Sequence, residues 1–229
     1  MLKNQNKKLL TLILARKGSQ RIKNKNLRKI GKYSLAEITI KFSLKLKLYS
    51  DIIVSTDDRR VIQVANKYNV KIPGIRPKHL SRSKSSSLDV VKYLINWYEN
   101  KYQTKVDGII LLQPTSPFRK ISLIIDTIKK FKKTKFNYIS ISKDKDFNNN
   151  YLHLDAKNFL RFPNRNNISN CRENGNFYIF NSKKINSDTI KSIINTKSKG
   201  ILINSKKLSL DIDTFTDLKK ARKYRELLK

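Results

Sequence analysis

Short, uniformly apolar runs alternate along the chain with longer stretches whose apolar positions return every three or four residues. Period-3.6 stretches bury one helix face, whereas an unbroken apolar run suits a strand covered on both faces. The first run, 9–15, is such a strand. Helical spacing follows at 34–49 through Leu35, Ile38, Phe42 and Leu46, and at 60–68 through Val61, Val64 and Ala65. It returns at 85–102 through Val90, Val91, Leu94, Ile95 and Tyr98, at 121–131 through Ile121, Ile124, Ile125, Ile128 and Phe131, and at 214–228. Strands are expected at 51–56, 70–72, 108–112, 138–142, 177–180 and 200–203. Strands and helices in this order predict an α/β fold with a mostly parallel sheet. Residues 143–176 are polar, Asn-rich and weakly periodic, and read as an irregular excursion. With no internal repeat and no flexible linker, residues 1–229 are expected to form a single domain.

Composition narrows the picture. A chain of 229 residues with 38% hydrophobic content can fill a core, and six Gly with five Pro exclude Pro/Gly-rich disorder. One cysteine excludes a disulfide framework and a cysteine-clustered zinc site. Lys3, Lys7 and Lys8 ahead of an apolar run imitate a short signal peptide. Arg16 and Lys17 follow at once, however, with no small-residue cleavage site, and the run is far too short to span a bilayer. A cytoplasmic protein is the expectation. The 51 Lys and Arg against 17 Asp and Glu leave a net charge of +34. Those cations are scattered among Asn, Ile and Tyr, which reads as a compositional bias with solvated lysines; binding to nucleic acid is the alternative. Either way the balance suits a phosphate-rich substrate.

The loop after the first strand concentrates candidate chemistry. Residues 15–26 place Arg16, Lys17, Arg21, Lys23 and Lys25 around Gly18 and Ser19. The loop leaves the carboxyl end of a strand, where open α/β sheets bind ligands, so its N–H groups and cations can converge on a polyphosphate. It lacks the G-x-x-x-x-G-K-[ST] pattern of a Walker loop. A solvated basic loop is the plain alternative.

Here the sequence resembles the acylneuraminate cytidylyltransferases, the CMP-sialic acid synthetases, whose loop typically reads A-R-x-G-S-K-G-I-P-x-K-N. The likeness continues in order through Val54-Ser55-Thr56-Asp57-Asp58, Arg76-Pro77 and Ser85-Ser86-Ser87-Leu88-Asp89. It then runs through Leu111-Leu112-Gln113-Pro114-Thr115-Ser116-Pro117-Phe118-Arg119, Arg172-Glu173-Asn174-Gly175-Asn176-Phe177-Tyr178-Ile179 and Leu210-Asp211-Ile212-Asp213-Thr214. The resemblance implies a Rossmann-like, doubly wound sheet of the nucleotidyltransferase type. It also implies a homodimer, with the excursion near 145–190 helping to build the dimer and the sugar site. The implied reaction joins CTP to an acidic 3-deoxy-2-keto sugar, N-acetylneuraminate or a related nonulosonate, giving the CMP-sugar and pyrophosphate with Mg²⁺. Octulosonate, pseudaminate and legionaminate are alternative sugars. Such chemistry needs positioning and charge neutralisation more than covalent help.

Carried over residue by residue, the resemblance assigns Arg16 and Lys25 to the triphosphate and to catalysis, with Gly18 and Ser19 in the same loop and Asn26 on the nucleotide. Arg76 and Ser87 fall around cytosine and ribose. Gln113, Thr115, Ser116, Arg172 and Asn174 fall on the sugar side, and Arg165 near sugar and pyrophosphate. The loop departs from the pattern: Lys17 replaces a Gly, Gln20-Arg21 replaces Lys-Gly, and the Pro is missing. A Gly lost at position 21 matters if that site needs a positive φ.

Asp211 and Asp213 stand two apart, and on a strand both would point to one face. Mg²⁺ favours one or two carboxylates plus phosphates and water, so the pair is the expected metal site; capping of the following helix by Asp213 or Thr214 is the alternative. Helix capping explains one of Asp57 and Asp58 equally well. His79 and His153 lack metal-ligand spacing, Cys171 lacks a partner, and Trp97 belongs to a helix's apolar face.

Overall fold

Six strands hydrogen-bond into one sheet: β1 (Lys8–Leu14), β2 (Asp51–Ser55), β3 (Val106–Leu112), β4 (Asn137–Lys143), β5 (Cys171–Asn181) and β6 (Ser198–Leu202). The computed structural model describes residues 8–143, 152–161, 171–185 and 198–228. Strand order is β6-β4-β5-β3-β1-β2, with β1 parallel to β2 and β3, β6 parallel to β4, and β5 antiparallel to both of its neighbours. The main helices are α1 (Leu35–Leu44), α2 (Arg59–Asn66), α3 (Ser87–Tyr102), α4 (Ile121–Thr134) and α5 (Phe215–Lys223).

Strand alternation explains why both faces are covered. Leu10, Leu12, Ile109 and Leu111 pack with Val91, Leu94 and Ile95 of α3, while Leu9, Ile13, Ile110 and Leu112 pack with α1, α2 and α4. Burying each such side chain contributes roughly 1.5–3 kcal/mol. A third cluster joins Ile22, Leu35, Ile38, Phe118, Ile212, Leu218 and Ala221. It ties the loop after β1, the loop after β3 and the C-terminal segment together, and these three pieces supply much of the site's lining.

Helix starts follow their polar signals. Ser34, Asp58 and Ser86 accept from backbone N–H groups at the starts of α1, α2 and α3. Thr214 caps α5 in a reciprocal box with Asp217. Thr214→Ala is therefore expected to lower stability by about 1 kcal/mol, read from the denaturant midpoint, with turnover of the folded enzyme unchanged. Lost turnover at unchanged stability would instead place Thr214 in the site.

Two expectations are corrected. Residues 70–72 form no strand: Lys71 and Ile75 make isolated bridges to Ile53 and Thr56, because Pro73 and Pro77 lack the N–H groups a ladder needs. Asp211 and Asp213 also lie outside any strand. The excursion is less irregular than its composition suggests. It holds a two-stranded piece pairing His153–Leu154 with Leu160–Arg161, and β5 begins inside it, at Cys171. No helix among the described residues is long and apolar enough to cross a membrane.

Candidate active site

The chain runs from β1 to β2 on one side and returns to β3 on the other, so a crevice opens at the carboxyl ends of β1 and β3. There lies a cleft of about 330 Å³, walled by Arg16, Ser19, Gln20, Arg21, Lys25 and Asn26 from the first loop and floored by Leu14, Val90 and Leu111. Ser85 and Ser87 bring the N-terminal end of α3 to it, whose partial positive charge favours an anion.

The first loop is held by specific hydrogen bonds. The Lys17 N–H donates to Asp57 Oδ1 at 2.7 Å, and Asn26 Nδ2 donates to the Arg16 carbonyl at 2.8 Å. The left-handed position falls at Asn24, φ 56°, and Arg21 is not among the residues with positive φ. Loss of Gly at 21 therefore brings no backbone strain. Arg21 instead reaches Asp213 at 3.1 Å. Asp58 is the α2 cap, and Asp57 is the loop anchor.

Lys25 is buried, and its Nζ donates to Asp213 Oδ1 and to the Ile212 carbonyl, each at 2.9 Å. Ile212 is fully buried in the third cluster, and its N–H donates to the Thr115 carbonyl. The apolar residue thus fixes the segment while Asp211 and Asp213 on either side face the cleft. Burial first, and the like charge of Asp213, push the Asp211 carboxyl up; hydrogen bonds from Thr115 and Ser116 and the Lys25 charge oppose this. The two carboxylates are oxygen donors of the kind a hard divalent ion takes, with phosphate and water completing its shell, and an ion there would share Asp213 with Lys25 and Arg21. Arg76 is buried with its guanidinium on Ser55 Oγ at 3.0 Å, and burial lowers it to about 10, so it stays charged.

The wall after β3 depends on a bulge in β5. Pairing with β4 slips between Ile139 and Ile141, where Ser140 Oγ donates to Asn174 Oδ1 and accepts from the Phe177 N–H. The extra residues swing toward the loop at 113–119, as bulges beside functional sites do. Gly175 sits at φ 67°, and a Cβ there would come within 2.7 Å of both Gln113 Oε1 and Ser116 Oγ. Gly175→Ala is expected to destabilise by roughly 1–2 kcal/mol from the left-handed backbone and to push the Gln113 amide out of place. The melting temperature and a crystal structure of the variant check both; an unmoved Gln113 contradicts the contact.

Ten residues singled out from the sequence thus line one cleft: Arg16, Ser19, Lys25, Asn26, Arg76, Ser87, Gln113, Thr115, Asp211 and Asp213. Others stand apart. Gly18 belongs to the loop but not to the cleft wall, and Arg172 lies exposed on β5 away from it. Ser116 and Asn174 are buried behind the wall: Ser116 Oγ bonds the Asn174 carbonyl at 3.0 Å and Asp211 Oδ1 at 3.3 Å. Asn174 Nδ2 is buried without a hydrogen-bond partner among the described residues. Arg165 falls outside the described residues. Sequence reasoning missed Arg119 and Asp57 as organisers. A cation placed just after a Pro-rich turn was the available signal for Arg119.

Comparison with known proteins agrees with this architecture. The sequence profile of the family described as Cytidylyltransferase matches residues 10–223. A CMP-N,N'-diacetyllegionaminic acid synthase from Legionella pneumophila is 32% identical over 232 residues, covering 96% of this chain and 97% of its own length. An N-acylneuraminate cytidylyltransferase from Escherichia coli O18:K1:H7 is 30% identical over 186 residues, 77% of this chain and 43% of that protein. In fold, the chain is similar to a CMP:2-keto-3-deoxy-manno-octonic acid synthetase complexed with CTP. The TM-score is 0.73 at 15% identity, over 96% of this chain and 98% of that one.

Proposed function

The chain belongs to the cytidylyltransferase family, and from that premise we propose that it transfers CMP from CTP to an acidic 3-deoxy-2-keto sugar of the nonulosonate class. The observation that carries this reading is one cleft in which Arg16, Arg21, Lys25 and Arg76 stand against the carboxylates of Asp211 and Asp213. Cations alone suit many anions. Cations beside paired acids suit a triphosphate that arrives with a divalent ion.

In the proposed reaction the anomeric hydroxyl oxygen attacks the α-phosphorus. A new P–O bond forms, the bond to the bridging β-phosphate oxygen breaks, pyrophosphate leaves, and the hydroxyl proton passes to water. Arg16 and Lys25 hold the triphosphate and neutralise charge gathering on the leaving group. Ser87, the start of α3 and Arg76 would face the nucleotide, and Asn26 keeps the loop in register through Arg16. Gln113 and Thr115 present the acceptor sugar, which converts an intermolecular attack into a positioned one. Asp211 and Asp213 would hold Mg²⁺, which when bound offsets charge on the phosphate oxygens.

The relatives are named for legionaminic, neuraminic and pseudaminic acids, and of these the two with the higher identity, legionaminate and neuraminate, are the sugars to test first. Pyrophosphate release from CTP and Mg²⁺ across a panel of nonulosonic and octulosonic acids tests the proposal. Release with a nonulosonate is expected; release with none, or only with an octulosonate, overturns it. We carry forward on the resemblance a single catalytic domain over 1–229, a cytoplasmic setting and a homodimer built through 145–190; sedimentation mass tests the dimer.

A further inference from the structure

Arg119 closes the loop after β3 and, among the described residues, is the buried cation that the mechanism above leaves unused. Only 9% of it is exposed. Its Nε donates to the Asn176 carbonyl at 2.8 Å, one terminal nitrogen to the Gln113 carbonyl at 2.5 Å, and the other to Thr39 Oγ1 at 3.5 Å. Its guanidinium lies 5.6 Å from the centre of the Phe42 ring. These contacts come from β5, the loop itself and α1. Burial lowers the group to about 9, so it is charged at neutral pH, and the carboxylate that acts on it from a distance is Asp211.

A buried charge held by carbonyls, with no carboxylate in contact among the described residues, is a poor way to gain stability, because desolvation offsets much of what the contacts return. What it supplies is geometry. The loop contains Pro114 and Pro117, which have no N–H, so its carbonyls depend on donors from elsewhere. Gln113 and Ser116 close a turn through one 3.1 Å bond, with Pro114 in the second position. Arg119 holds that same Gln113 carbonyl from behind, and Asn176 Nδ2 holds the Phe118 carbonyl at 2.6 Å. The planar fork reaches two carbonyls on different elements at once, which a lysine ammonium on a single stem does not reproduce.

We propose that Arg119 is a positioning residue for the acceptor-sugar end of the cleft: by locking the Gln113 peptide between the loop and the β5 bulge, it sets where the Gln113 amide meets the sugar. The inference rests on the reading of Gln113 as a sugar-side group. It separates acceptor from nucleotide, since the CTP-side residues named above, Arg16, Lys25, Arg76 and Ser87, make no hydrogen bond to Arg119 among the contacts described.

The test uses the full-length enzyme with Arg119→Lys, Gln113→Ala and the double variant, measuring KM for CTP and for the sugar separately. Arg119→Lys is expected to raise the sugar KM about tenfold or more, the scale of a small misplacement of a positioned group, with the CTP KM within about twofold. The double variant is expected to match Gln113→Ala alone, because residues acting through one another are not additive. Equal rises in both KM values, or losses that add in the double variant, overturn the proposal. An unchanged sugar KM in Gln113→Ala sinks the underlying reading of Gln113, a failure visible with Arg119 intact. Arg119→Ala assayed with added guanidinium ion gives an independent arm: recovery of the sugar KM supports positioning, and no recovery speaks against it.

Discussion

Turnover of a Lys25→Ala enzyme is expected to fall by about 10²-fold or more at saturating CTP and sugar, the scale of removing a partner to charge that develops in the transition state. The side chain is 10% exposed and fixed by two 2.9 Å contacts, to Asp213 and to the Ile212 carbonyl, so its ammonium is already placed before substrate arrives. Loss of those contacts leaves Asp213 paired with Arg21, and the fold is expected to survive. Lys25→Arg should not restore the rate, because a planar fork cannot occupy the point that an ammonium fills. Near-wild-type turnover of Lys25→Ala, with normal melting, would take Lys25 out of the chemistry.

Asp211→Asn and Asp213→Asn are expected to raise the Mg²⁺ needed for half-maximal rate by at least the roughly 10- to 100-fold that losing a metal site's outer partner costs. The structure separates this from helix capping. The α5 cap is Thr214 with Asp217, so Asp213→Asn leaves it in place. For Asp211 the sign of the stability change is also set. A carboxyl whose pKa is raised on folding costs stability at pH values above its unfolded pKa, because the buried charge is then disfavoured. Asp211→Asn should therefore melt no lower than wild type at neutral pH while the metal requirement rises. Unchanged Mg²⁺ dependence in both variants assigns the pair a structural role and moves the metal to other groups, with Asp57 the first to test.

Much of the site was legible because its residues are clustered in short stretches of sequence. The cation-rich loop and the D-x-D pair could be read from local residue type and spacing, and Gln113 and Thr115 were implied by the resemblance; all of them line the cleft. The reading failed where a long-range partner decides a residue's place. The same-face argument for Asp211 and Asp213 presumed a strand. The two carboxylates face one cleft instead because Ile212 is buried under Phe118 and Leu218 and its N–H is held by Thr115. Similarly, Ser116 reads as a sugar-pocket hydroxyl, yet it is turned inward to Asn174 and Asp211.

Periodicity and turn residues by themselves determined the alternating strands and helices, and with them the α/β class, because the burial pattern of each element is written in its own residues. Nucleotide transfer was implied by something else, the resemblance of the ordered motifs to those of a known family. Strand order, the antiparallel insertion of β5 and the bulge that brings Gly175 against Gln113 were decided only by tertiary structure. β5 begins in polar, Asn-rich sequence whose hydrogen bonds go to Ser140, Ser116 and Arg119, far along the chain. A buried polar group must find a partner, but nothing in its own neighbourhood of the sequence says which one.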